Sequence, residues 1–194
     1  GAPGRAPVRI CHLTNYYPGT HRHVGGAERA AEQMADALAR AGHENRVLTT
    51  AFDQASTTPH DARAIPTAEG WLPRRARLLL EAAKWYTLQV DPVALPAITA
   101  QLRRFRPDLV FFHNCQFLTL SAVAACRALS IPTAMAIYDY WLFCPLTILA
   151  YREQEPDCHR RQGLDCLACL PDRFLPVQKA LLAPRHALFS RLAE

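Results

Sequence analysis

The sequence predicts an α/β fold, a parallel sheet layered by helices. Three observations predict it. Residues 8–50 read as strand, helix, strand. Buried-strand and helix patterns then keep alternating along the chain, which is the signature of a layered parallel sheet. A glycine pair, Gly25-Gly26, sits in the first strand-to-helix loop, where such folds bring backbone close to a ligand.

The first strand is the apolar run over 8–13, Val8-Arg9-Ile10-Cys11-His12-Leu13. A helix follows from Ala27 to Ala41, with Ala27, Ala30, Ala31, Met34, Leu38 and Ala41 at helical spacing and Gly42 as its stop. The second strand is Arg46 to Thr50, and the unit favours a right-handed crossover. Residues 52–70 are polar and read as one long loop. A basic, apolar helix is expected over 74–90; its rival readings are an ordinary amphipathic core helix and a helix resting on an anionic membrane surface. Asp91-Pro92 make an N-cap and first-turn pair for a helix ending near Phe105. Asp108 to His113 is the next strand, Leu118 to Leu129 a helix, and Thr133 to Tyr138 a further strand. Residues 144–171 hold four cysteines without periodicity and read as an insertion, and 173–193 return to helix.

The chain has 194 residues, 50% of them hydrophobic and 20% charged, an ordinary globular composition for one domain with an extra lobe. Twenty-two basic against 17 acidic residues give a net charge of +5, and only Lys84 and Lys179 are lysines. That balance suits anionic ligands or an anionic surface. No helix-turn-helix, zinc-finger or RNP-type signature supports nucleic acid as a partner. No run of about 18 apolar residues is long enough to span a membrane. Seven cysteines without a secretory signal point to a reducing, cytoplasmic setting. Gly1-Ala2-Pro3-Gly4 at the start and a stop at Glu194 within an apparent helix read as the limits of an excised domain.

Ligands of α/β sheets bind at the carboxyl ends of the strands, and three features fall there. One is the loop from Asn15 to Gly26, with His21, His23 and the glycine pair; the next helix offers its N–H groups and positive dipole end to a phosphate. The others are His113-Asn114 and Tyr138-Asp139-Tyr140-Trp141, each directly after a strand. Each has a plainer reading. The glycines can serve only a tight turn. Glu28 either complements the helix dipole or orients a sugar hydroxyl. Asp139 binds hydroxyls, acts as a base, or caps a turn. His113 contacts ligand or is a satisfied core histidine. Cys11, Cys115 and Cys126 fit small core positions, whereas Cys144, Cys158, Cys166 and Cys169 can close a tetrahedral structural zinc site, with His159 as an alternative ligand and free thiols or a redox pair as the rival.

Gly25-Gly26-Ala27-Glu28, Leu38, Gly42-His43-Glu44 and Val47 resemble the opening of family 4 glycosyltransferases of the GT-B fold. So do Pro107 to Asn114 and Ile131-Pro132-Thr133, while Asp139-Tyr140-Trp141-Leu142-Phe143-Cys144-Pro145 with spaced cysteines resembles one branch of that family. The resemblance covers nearly the whole chain. It implies two Rossmann-like domains, of which 1–194 is the N-terminal, acceptor-binding one with helices on both faces of its sheet; the donor-binding domain, with two acidic residues eight positions apart, lies outside this chain. It implies transfer of a sugar from a nucleotide-sugar to a glycan or lipid-linked acceptor, with retention and with no cofactor in the chemistry. By position, Gly25 and Gly26 would approach the donor diphosphate or transferred sugar, with Glu28 beside them. His113 and Asn114 would line the acceptor cleft, with His23 nearby. Tyr138 stands where the family commonly has a histidine thought to contact the transferred sugar, just before Asp139, and both would be catalytic residues. The isolated chain would then be inactive. The rivals are a non-catalytic anion- or partner-binding module, one subunit of a split transferase, and a zinc-stabilised interaction domain.

Overall fold

The computed structural model describes residues 6–73, 76, 77, 80, 90–118, 120–141 and 144. The chain divides into two compact units: residues 1–70 with 89–138, and residues 71–88 with 139–194. The first carries the sheet. Its strands are β1 (Arg9–Leu13), β2 (Glu44–Thr49), β3 (Asp61–Ala64), β4 (Leu109–Phe112) and β5 (Thr133–Met135). They lie in the order β3-β2-β1-β4-β5, every neighbouring pair parallel. The expected α/β class and parallel sheet are met.

Helix α1 (Gly26–Arg40) crosses from β1 to β2, α2 (Ala94–Phe105) precedes β4, and α3 (Ser121–Ala128) joins β4 to β5. The chain steps outward from β1 in one direction as far as β3, then returns to the other side for β4 and β5. Right-handed crossovers therefore put α1 on one face and α2 with α3 on the other. Side-chain alternation agrees. Val47 packs with Ala31 of α1 and with Tyr17, whereas Arg9 and Arg46 stack over Phe105 of α2 at 4.7 and 4.4 Å. Cys11, Leu13, Leu48, Val110 and Phe112 fill the core together with Ile98, Leu102, Ala125 and Cys126. Cys11, Cys115 and Cys126 are buried free thiols, as small core residues should be, and desolvation pushes the Cys126 thiol up to about 11.

Helix ends follow local chemistry. The N–H of Gly42, at φ +88°, bonds Ala39 C=O and that of His43 bonds Leu38 C=O, the paired bonds of a Schellman stop for α1. Asp91 caps α2: its Oδ1 accepts from the N–H groups of Val93 (2.7 Å) and Ala94 (2.9 Å). Pro96 falls in the first turn of α2, where its missing N–H costs nothing.

Several boundaries differ from the sequence reading; β2 begins at Glu44 rather than Arg46, and α3 at Ser121 rather than Leu118. The long loop over 52–70 contains β3 and a 3-10 turn at Ala68–Trp71. Asp-Ala-Arg-Ala has no strand propensity of its own; it forms an edge strand because its ladder pairs with β2 and Asp61 meets the Arg46 guanidinium at 2.6 Å and that of Arg63 at 2.7 Å. The last strand is shorter than expected, ending at Met135, although the N–H of Ala136 still bonds Phe112 C=O. The helices expected over 74–90 and 173–193 and the insertion over 144–171 fall wholly or largely outside the described residues.

Candidate functional site

In this strand order the sequence of connections reverses between β1 and β4, so the loops after these two strands diverge at a topological switch point. They are tied across it by asparagines. The N–H of Asn15 donates to Asn114 C=O (2.6 Å), Asn15 Nδ2 donates to Asn114 Oδ1 (2.7 Å), and the N–H of Phe117 donates to Asn15 Oδ1 (2.8 Å). Beside them Thr14 Oγ1 and Gln116 Nε2 are buried without a partner among the described residues. A bound water or ligand would relieve that cost.

The loop from β1 to α1 is equally ordered. His21 is buried, with Nδ1 against Tyr17 N–H (3.1 Å) and Nε2 against Ala51 C=O (3.0 Å), so it fastens this loop to the end of β2. His23 is exposed. Gly25 is extended, at φ −100° and ψ −163°, and neither Gly25 nor Gly26 needs a left-handed backbone. What the pair provides is bareness. Both are exposed, and a Cβ on Gly26 would meet nothing within 4 Å. Glu28 is buried and folds back, its Oε2 accepting the Gly25 N–H at 2.8 Å. It therefore complements the start of α1, the plainer of its two sequence readings.

On the α1 face of the sheet, four side chains form a continuous hydrogen-bonded line across neighbouring strands. Asn45 of β2 has Oδ1 3.1 Å from His12 Nε2; His12 of β1 has Nδ1 3.1 Å from His113 Nε2; His113, just beyond β4, has Nδ1 2.9 Å from the Tyr138 hydroxyl, beyond β5. The rings of His113 and Tyr138 lie nearly parallel, 11° apart. Both histidines are fully buried, and Tyr138 is 40% exposed. Desolvation lowers both imidazoles, His113 to about 3 with His12 adding to the effect, so both rings are neutral at physiological pH. Burial also raises the Tyr138 phenol, which keeps its proton. With both ring nitrogens of His113 engaged, the group that this line presents at the surface is the Tyr138 hydroxyl.

In the second unit, Asp139 Oδ1 accepts the N–H of Trp141 at 2.9 Å, a turn-capping bond. Cys144 is buried with a free thiol. Cys158, Cys166 and Cys169, the remaining members of the expected zinc set, lie outside the described residues, and among the described residues no group of three metal-binding side chains exists.

The sheet thus brings His113, Asn114 and Tyr138 to one edge. Sequence reasoning missed Asn45, His12 and Asn15. The available signal was His12, a polar residue inside an otherwise buried strand, but its partners appear only once β1 is paired with β2 and β4.

A sheet of this order, with its loops clasped at the switch point, defines a Rossmann-like α/β module. Residues 25–184 match the model of the glycosyl transferase 4-like domain, and the chain belongs to that family. No curated protein matches the chain. Among solved structures, CobK precorrin-6A reductase matches at 15% identity with a TM-score of 0.35, over 69% of this chain and 40% of that one, a likeness too loose to bear on function. Membership makes the chain a glycosyltransferase-type module. Among the described residues no helix is long and apolar enough to cross a membrane.

Proposed function

We propose that this domain is the acceptor-binding half of a retaining glycosyltransferase that moves a sugar from a nucleotide-sugar to a glycan or lipid-linked acceptor. The observation that carries the reading is Tyr138, its hydroxyl held on His113 at the carboxyl edge of the sheet and the residue 40% exposed. A neutral phenol is a hydrogen-bond partner for a sugar hydroxyl. In this reading the acceptor lies along Asn114, Tyr138 and the exposed His23, and His113 acts from behind Tyr138. The bare start of α1 at Gly25 and Gly26 faces the donor diphosphate, where N–H groups and the helix dipole stabilise charge that grows as the nucleotide leaves. Asp139 orients a hydroxyl or takes its proton. A second, donor-binding domain completes the enzyme, so this chain alone is inactive. A structural zinc held by Cys144, Cys158, Cys166 and Cys169 belongs to the same proposal, as does a cytoplasmic protein touching the inner membrane face through the basic, apolar segment 74–90.

The test is sugar transfer by the chain joined to its donor-binding domain, with the product's anomeric configuration read by NMR. Retention is expected, and Tyr138→Phe is expected to lower kcat/KM by roughly 5- to 30-fold, the worth of about one to two kcal/mol. Inversion, or transfer by this chain alone, overturns the reading. Metal analysis of the purified chain is expected to find about one zinc per molecule.

A further inference from the structure

We propose that the line from Asn45 to Tyr138 fixes the direction of hydrogen bonding at the Tyr138 hydroxyl, so that this position accepts a hydrogen bond from a ligand hydroxyl and disfavours phosphate or carboxylate oxygens. The inference rests on the reading above that Tyr138 faces a ligand, and deepens it to the kind of group that is read there.

The direction is set at the far end. Asn45 Nδ2 lies 3.1 Å from the backbone carbonyl of His43, a group that can only accept. The amide must donate there, which turns Oδ1, an acceptor, toward His12. His12 Nε2 therefore carries the proton and donates to Asn45. In a neutral ring Nδ1 is then the acceptor, so His113 Nε2 carries its proton and donates to His12. His113 Nδ1 in turn accepts, and its partner is the Tyr138 O–H.

Reversing the line fails at one link. If His113 donated to Tyr138 from Nδ1, His12 would have to donate from Nδ1 and accept at Nε2, facing Asn45 Oδ1 acceptor to acceptor. Flipping the amide only moves that clash to the His43 carbonyl. Protonating a ring would also reverse it, but burial of both rings opposes a charge. Tyr138 thus spends its one proton inward and shows lone pairs outward. A ligand hydroxyl can donate to them. An ionised carboxylate or a phosphodiester oxygen brings only lone pairs of its own. His12 and Asn45 are positioning residues in this arrangement.

Proton-detected 15N correlation spectra of the histidine rings test the relay in this chain directly. Both His12 and His113 are expected as Nε2–H tautomers at pH 7. Because the direction is anchored at Asn45, Tyr138→Phe is expected to leave both tautomers unchanged, whereas Asn45→Ala is expected to mix them. An Nδ1–H tautomer or an imidazolium at either ring in the native chain overturns the proposal, whether or not Asn45→Ala folds. The ligand arm titrates the same labelled chain with glucose, with glucose carrying fluorine in place of each hydroxyl in turn, and with dimethyl phosphate, a phosphate that has no O–H to donate. Glucose is expected to shift the His113 and Tyr138 signals, one fluorinated analogue to bind roughly tenfold more weakly, and phosphate to leave these signals alone. Phosphate acting at Tyr138 in place of glucose overturns the polarity claim. Predicted tautomers with no sugar response at Tyr138 instead sink the ligand-facing reading, and this proposal with it.

Discussion

His113 is a ring that folding forces to stay neutral. Its ordinary value of 6.5 falls to about 3 because burial removes the water that would solvate the imidazolium and His12 lies against it. Below pH 6.5 the unfolded chain takes up a proton that the native ring refuses, so this residue's contribution to stability falls as pH drops from about 6.5 toward 3 and is level above that window. At pH 5 the loss from His113 alone amounts to about 2 kcal/mol. Urea midpoints at pH 7 and pH 5 measure it, and His113→Gln is expected to shrink the difference by about that amount. Glycines give a second contrast at this scale. Gly19 sits at φ +76°, and a Cβ there would come within 2.7 Å of the Thr58 backbone nitrogen. Gly26 has open space around it. Gly19→Ala is therefore expected to cost about 2 kcal/mol or more. Gly26→Ala is expected to leave the melting temperature nearly unchanged, so that any loss of phosphate-group binding in that variant reports access to the α1 N-terminus rather than folding.

Among the elements, α2 depends most on one side chain. Asp91 is 1% exposed; besides the two α2 N–H groups, its Oδ2 accepts the N–H of Ala68 at 2.9 Å, and its own N–H donates to Ser121 Oγ at 2.7 Å. One residue thus joins the start of α2 and the turn after β3 through its carboxylate, and the start of α3 through its backbone N–H. Asp91→Ala removes the acceptor of three N–H groups at once, that of Ala94 buried, and is expected to cost about 3 kcal/mol, more than an isolated cap, whereas Asp91→Asn keeps an acceptor and is expected to cost less than half of that. Thermal or urea unfolding distinguishes the two. This cap was legible in the sequence because an Asp-Pro pair acts locally, within three residues of itself. The β3 edge strand was not, because nothing within Asp61-Ala62-Arg63-Ala64 favours extension; the β2 ladder and Arg46 impose it from 15 residues away in the chain.

For the molecule as a whole, the same division between local and imposed structure explains what could be read of the site. The strand ends carrying His113 and Tyr138 announce themselves as polar residues after apolar runs, and the helix spacing of α1 fixes where its N-terminus falls. His12, Asn45 and Asn15 acquire meaning only from the β2-β1-β4 register, which no local pattern specifies. Asn15 is the test of how far that register holds the site together. It bonds Asn114 through both backbone and side chain, receives the Phe117 N–H, and through its carbonyl accepts from the hydroxyls of Thr49 and Thr50, both residues of the β2 end. The carboxyl edges of three adjacent strands therefore meet at one residue. Asn15→Ala keeps the backbone bonds but removes the side-chain clasp to the β4 loop, made of the bonds to Asn114 Oδ1 and from the Phe117 N–H. The expected cost is about 1–3 kcal/mol, the worth of two such hydrogen bonds. The more telling readout is hydrogen exchange. Because the clasp crosses the switch point, protection should fall together in the loop after β1 and in residues 114–117, while α1 and the β2-β3 edge keep theirs. Loss confined to one loop would show that the two sides of the switch point are held independently, and that the edge carrying His113 and Tyr138 and the α1 N-terminus are separate supports rather than one.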